Sequence, residues 1–496
     1  MKNKNKIMLI ITGIIIIICI CIGFTKKEFQ NDTFYTIKVG ESIVKNGIDG
    51  IDHFSWHKLS YTYPHWLYDV GIYEVYHHFK FNGIYVSTII LYTILGLLMF
   101  FINLRITKST FITLVSTIMS VIICGIYATA RAQLITYILF LLEVFFIERL
   151  LTSSKKRYMI LLFLICILIA NIHSAVWPFY FILMLPYMAQ EILGIIKEKK
   201  NKSSKSKVFE NKLIFKRYEG FKLLLVVFFI SLLLGFLTPI GLSPYTYAFK
   251  IALGNTQDYI MEHKGLILIE NPFVLIFLLI SLFIMIFTKV KIRVSDFFLI
   301  LGLVVMSFIS VRHVSFLLVI GMISLNRMIV DLFSIKLNGK IFEFEIEWYG
   351  GLILVFVVIL TSKFIYDNKT NTAFINSEKY PIEAINYLKE EYNIKEIKIF
   401  NDYDFGSYLM YRKIPVYIDS RSDLYTKPFN NKFDIFNEYT DISYNYGAVF
   451  NKYGITHVLI YSDSELARIL TASSNYSTVY SDKAFKLFEV LSNKEG

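Results

Sequence analysis

Apolar and polar positions divide the chain into two unlike parts. Up to about residue 366 the apolar residues come in long runs: 7–24, 84–104, 110–129, 132–149, 158–172, 175–195, 222–241, 272–289, 294–311, 313–333 and 349–366. A helix crosses the hydrocarbon core with about 20 apolar residues, and backbone groups in lipid must find their hydrogen bonds within the segment. The pattern predicts a polytopic α-helical membrane region, residues 1–366, with eleven spans. From 367 to 496 the runs break up and turn residues become denser. The spacing there predicts helix 381–392, strand 396–400, helix 404–412, strand 415–419, helix 441–453, strand 456–461, helix 463–471 and strands 477–481 and 484–490. Such alternation describes a small α/β domain.

Composition agrees with lipid as the solvent. Hydrophobic residues make up 55% of the chain and charged residues 18%, where soluble proteins carry about 25% charged residues. The net charge of +12 does not read as nucleic-acid binding, because the lysines cluster in short loops between apolar runs. With Met1–Lys6 in the cytoplasm, the inner loops hold 25 Lys and Arg and the outer loops 10. That asymmetry is the positive-inside pattern. It predicts a cell-membrane protein with a cytoplasmic N-terminus, a cytoplasmic basic loop at 196–222 and an extracytoplasmic C-terminal domain. Cys19, Cys21, Cys124 and Cys166 all lie in apolar runs without metal-ligand spacing, so disulfides are not expected. The basic start resembles a signal peptide, but its apolar core runs into Thr25-Lys26-Lys27 without a small-residue cleavage site, and it reads as an uncleaved first span.

The outer loop 25–83 predicts two surface helices. One covers Thr33–Lys45 and stops at Asn46-Gly47. The other starts at Pro64, with Leu67, Val70, Gly71 and Val75 on one face and His65, Asp69 and Tyr76 opposite. It either lies on the membrane surface or packs on the bundle. Candidate chemistry begins at Asp32, a carboxylate just beyond the first span, accompanied by His53, Trp56, His57, His65, Trp66 and Asp69. Such a carboxylate suits a general base; the plainer alternative is a helix cap.

Three tight outer turns follow: Thr129-Ala130-Arg131-Ala132-Gln133, Asn171-Ile172-His173-Ser174 and Val311-Arg312-His313. Basic side chains at membrane depth are costly and usually face an interior or a cavity. Arg131, His173, Arg312 and His313 would together suit a phosphate. The alternative is snorkelling of each to the interface.

The early outer-loop Asp, the long first outer loop, the number of spans and the extracytoplasmic tail resemble the GT-C superfamily of membrane glycosyltransferases. More narrowly, five strings resemble a bacterial GT-C-like group of largely unassigned activity. They are Trp66-Leu67 with Gly83, Arg131-Ala132-Gln133, Ala170-Asn171-Ile172-His173, Gly406-Ser407-Tyr408-Leu409 and Ile418-Asp419-Ser420-Arg421-Ser422-Asp423-Leu424-Tyr425. The resemblance implies inverting transfer of a sugar from a polyprenyl-phosphate donor lipid to an envelope glycan, lipid or protein. Asp32 would be the base and the basic turns would hold the phosphate. His53, Trp56, His57, His65, Trp66, Asp69, Gln133, Asn171, Asp419, Arg421 and Asp423 would line the substrates. Asp419, Arg421 and Asp423 also fit an internal ion-pair network. Many members carry paired acids where this chain has Asn31-Asp32, so no metal or other cofactor is expected. The alternative function is a non-catalytic GT-C-derived scaffold, or an assembly or transport factor for envelope polysaccharide.

Overall fold

Each of the eleven apolar runs carries a helix in the computed structural model, which describes residues 2–200, 212–254, 256, 259–336, 348–370 and 372–491. Residues 201–211 of the basic loop, and Lys340, lie outside the described residues. In chain order come α1 (Lys2–Phe24), α2 (Asn31–Asn46), α3 (Trp66–Thr107), α4 (Thr110–Cys124), α5 (Gln133–Ser153) and α6 (Arg157–Ile172). Then follow α7 (Trp177–Lys200), α8 (Phe221–Leu234), α9 (Ser243–Leu253), α10 (Pro272–Phe287) and α11 (Val294–Ile309). The short α12 (Val314–Phe316) passes through a π-helical turn into α13 (Met322–Lys336), and α14 (Trp348–Thr370) closes the apolar part.

Six helical stretches among the described residues are long and apolar enough to cross a membrane: Asn5–Phe24, Trp66–Thr107, Thr110–Tyr127, Ser174–Lys199, Val311–Ile335 and Gly350–Asn368. Four more are apolar but shorter, namely α6, α8, α10 and α11. Helix α5 belongs to neither set, because Glu143, Glu148 and Arg149 interrupt its apolar sequence. The protein is therefore a helical, membrane-type chain with a small C-terminal sheet.

The chain forms two compact units. The first comprises Met1–Lys26, Tyr85–Tyr245 and Met261–Asn371. Helix α1 packs along α14, while Leu279, Phe283, Ile286, Leu352 and Phe356 stay exposed, as lipid-facing positions do. Strand β1 (Leu213–Ile214) pairs in parallel with β2 (Ile292–Arg293). Beside β2 lies a ring of charge. Arg293 bonds to Glu148 (2.7 Å) and Asp296 (2.8 Å), and Arg327 bonds to the same two carboxylates (3.1 and 2.6 Å). Ser324 donates to Asp296 as well (2.8 Å). Two cations and two carboxylates cancel, so charges costly to bury singly are tolerated together.

The second unit comprises Lys27–Ile84, Thr246–Ile260 and Thr372–Gly496. Residues 27–84 thus group with the C-terminal part, a division that a sequence boundary at 366/367 does not convey. The elements after α14 are α15 (Ile382–Glu391), β3 (Ile399–Asn401), α16 (Tyr403–Tyr411), α17 (Lys427–Asn430), α18 (Ile435–Thr440), α19 (Ile442–Tyr453), β4 (His457–Tyr461), α20 (Glu465–Ala472), β5 (Tyr476–Ser481) and β6 (Phe485–Val490). The sheet order is β3-β4-β6-β5, with β3 and β4 parallel and the other pairs antiparallel.

One expectation is corrected here. Residues 415–419 form no strand of this sheet. Instead Val416 bridges to Ser55, and the Asn401 amide bonds Ile418 O (2.8 Å) and Tyr417 N (2.9 Å). In the first part of α3, Tyr68, Asp69 and Ile72 are buried and Gly71 is exposed. The reason is Gly40 of α2, where a Cβ would lie 2.1 Å from the carbonyl oxygen of Asp69. Glycine lets the two backbones meet there.

Candidate functional site

In the first unit, two of the three basic turns converge on one short segment. Arg131, just before α5, donates from Nη1 to both carboxylate oxygens of Glu262 at 3.0 Å. Glu262 sits in the 3-10 turn Met261–His263. Arg312, in the 3-10 turn Val311–His313, contacts the His263 ring of that same segment. The backbone ties the segments together, with Ser310 Oγ donating to Glu262 O (2.9 Å) and Val311 N to Lys264 O (2.9 Å). Burial first, then the charges of Arg312 and Arg131 and the nearby His313, pushes the His263 ring down to about 3. The Arg312 Nε is buried without a hydrogen-bond partner among the described residues.

The other turn residues are arranged differently. His173 Nδ1 pairs with Thr136 Oγ1 (2.9 Å), which also donates to Ala132 O (3.0 Å). Asn171 spans Ile167 O (2.8 Å) and Leu237 O (2.9 Å), fixing the end of α6. Gln133 opens α5, and His313 bonds Met306 O (2.9 Å). Glu262 and His263 lie outside the three basic turns that stand out in the sequence. Their signal in the sequence is the charged trio Glu262-His263-Lys264 shortly before an apolar run.

In the second unit, Asp32 is half-buried in the first turn of α2. The cap position is Gln30, which makes no side-chain cap bond, so Asp32 is not the N-cap. A carboxylate in a first helical turn is favoured by the helix dipole. Its neighbour Asn31 uses both ends of its amide: Nδ2 donates to Tyr403 O (2.9 Å) and Oδ1 accepts from Tyr408 N (3.2 Å).

Residues 406–409 and 418–425 lie together in this unit. Gly406 admits the chain of 418–419, since a Cβ there would meet Ile418 O at 2.0 Å. Ser407 and Ser420 share a hydroxyl contact of 2.8 Å. Asp419 accepts from Arg421 N (2.9 Å), Nε (2.9 Å) and Nη2 (2.6 Å), and from Tyr425 OH (2.5 Å). Arg421 also pairs with Asp52 (2.8 Å) and lies over the Tyr61 ring at 4.8 Å. Asp419, Arg421 and Asp52 are buried, so this constellation has the geometry of an internal network. Asp423 instead accepts from Tyr247 OH (2.9 Å).

The remaining candidates are dispersed. Trp56 donates to Ile399 O (3.3 Å) and stacks near His57, whose Nε2 meets Tyr417 O (3.0 Å). His53 pairs with Asp49 (2.5 Å). His65 and Trp66 are half-buried at the start of α3, and Asp69 is fully buried beside Thr36. Neither protein-family models nor curated proteins give a match to this chain.

Proposed function

We propose that this protein is a multi-pass membrane glycosyltransferase, moving a sugar from a polyprenyl-phosphate-linked donor to an envelope acceptor. The observation that carries the reading is the convergence of Arg131 and Arg312, with His313, on residues 262–263. Guanidinium donors gathered at one place can stabilise the charge that builds on a departing phosphate. The acceptor oxygen bonds to the anomeric carbon as the bond from that carbon to the phosphate oxygen breaks. The electron pair leaves on the phosphate, and Asp32 takes the acceptor proton. The transition state is oxocarbenium-like, as in glycoside hydrolysis. Sidedness is part of the same proposal: eleven spans, a cytoplasmic N-terminus and an extracytoplasmic 367–496 region, supported by the 25-to-10 distribution of basic residues.

The test is Asp32→Asn, which keeps the shape and removes the base. A general base contributes about 100- to 10,000-fold. The variant is expected to be stably made, to bind farnesyl phosphate as the wild type does, and to lose transfer by a factor in that range. Near-normal transfer would end the role of Asp32. A second reading, a non-catalytic scaffold or an assembly or transport factor, is favoured by one observation: Glu262 already neutralises Arg131. That reading expects no transfer by the wild type.

A further inference from the structure

We infer that the turn formed by residues 266–270, just ahead of α10, is a membrane-interface anchor whose two isoleucines enter the outer leaflet. The inference rests on the reading of α10 as a span preceded by an outer loop. Exposure is the first support. Ile269 is 90% exposed and Ile267 54%, whereas Leu266 is buried and Leu268 half-buried. The apolar surface runs on through Phe273 into Ile276 and Leu279, positions that α10 turns outward while it buries Val274, Phe277 and Ser281. Lipid is the occupant, because this surface continues the side that a span presents to the bilayer. Length is the second support. The 16 residues of α10 rise about 24 Å, and the hydrocarbon core is about 30 Å thick. Interfacial segments sink about 5–10 Å, which covers that shortfall at the outer end. Third, the turn is built for a shallow dip. Lipid does not tolerate irregular backbone in its core, so polar groups of such a turn need partners. Ile267 O accepts from Glu270 N (3.2 Å) and Asn271 Nδ2 (3.0 Å), and Leu268 O accepts from Asn271 N (3.1 Å). The four apolar residues 266–269 lie between exposed Lys264 and Glu270, charges that stay at headgroup level. Val311 N donates to Lys264 O (2.9 Å), so the anchor also sets the depth of the turn Val311–His313.

The experiment places single cysteines in the full-length protein, in a background lacking the four native ones, and labels them with an environment-sensitive fluorophore. The variants are Ile267→Cys, Ile269→Cys, Leu279→Cys in the middle of α10, and Ser474→Cys at an exposed site of the second unit. Each is reconstituted in phosphatidylcholine nanodiscs, which leave both faces open to iodide in the water. Quenching by iodide is compared with quenching by phosphatidylcholine that carries a nitroxide near the top or near the end of its acyl chain. The anchor predicts that the probes at 267 and 269 are quenched several-fold more by the shallow nitroxide than by iodide. The probe at 279 is expected to respond most to the deep nitroxide, and the probe at 474 to iodide alone. Iodide quenching at 267 and 269, with lipid quenching kept at 279, would place the turn in water and overturn the anchor while α10 remained a span. Quenching at 267 and 269 by neither agent would mean that protein covers the turn, and would also overturn it. Iodide quenching at 279 would overturn the span reading of α10 and the anchor with it.

Discussion

Asn31, beside Asp32, is fixed at the residue scale by two backbone contacts. Its amide is both donor and acceptor to the α16 backbone, through Tyr403 O and Tyr408 N. A carboxylate has no hydrogen to give Tyr403 O, so an acid there would turn a bond into a repulsion. Asn31→Asp is expected to destabilise the protein by about 1–3 kcal/mol, the cost of a buried group left unmatched, less a few tenths regained from the helix dipole. Thermal unfolding of the full-length protein in detergent measures it; an unchanged or raised midpoint would contradict the role of the amide. Residue identity alone carried part of this: Asp32 and the basic turns stand out in the sequence as charges beside apolar runs. Glu262 and His263 do not, because their meaning comes from contacts to residues 131 and 49 positions away.

Among elements, the second unit carries two buried titratable groups with opposite pH signatures. Asp402, just before α16, accepts from Tyr461 N (2.9 Å), and burial pushes its carboxyl up to about 7. Folding then favours its protonated form, so the contribution is full below the unfolded carboxyl range and is lost as pH rises towards 7. His57 is pushed down to about 4, chiefly by burial. The unfolded chain binds a proton near pH 6.5 that the folded ring refuses, so stability falls as pH drops from 6.5 towards 4. Each limb is on the order of 1–3 kcal/mol. The two limbs oppose each other between about pH 4 and 6.5, so unfolding midpoints across that window are expected to rise more steeply with pH in Asp402→Asn and to fall with rising pH in His57→Phe. Profiles parallel to wild type would contradict both assignments. Most elements were readable from periodicity, including α2, α15, α19, β4 and the β5–β6 hairpin. Residues 415–419 were not, since an apolar extended stretch looks alike whether it joins a sheet or is held by Asn401 and residues 54–56. The burial of Asp69 in α3 was not legible either, because it comes with the close approach of Gly40 on another helix.

For the whole molecule, long apolar runs made the helical membrane class legible, because lipid leaves few alternatives to a helix. The grouping of Lys27–Ile84 and Thr246–Ile260 with the C-terminal part was not legible, as it depends on side-chain bonds between distant segments such as Tyr247 to Asp423. The proposed sidedness is tested by single cysteines on intact cells, in a background lacking the four native ones: Ser473→Cys is expected to label with an impermeant reagent and Ser203→Cys not to. The reverse pattern would invert the topology. The central claim, consumption of a lipid-linked sugar, is tested most directly by mass spectrometry of the polyprenyl-phosphate sugars in cells lacking the protein. The deletion cells are complemented with the wild type, Asp32→Asn or Arg131→Ala. One such lipid is expected to accumulate several-fold in the deletion and in Asp32→Asn and Arg131→Ala cells, and to return to its normal level with the wild type. Equal pools of every such lipid in all four strains would contradict the glycosyltransferase account and leave the scaffold reading in its place.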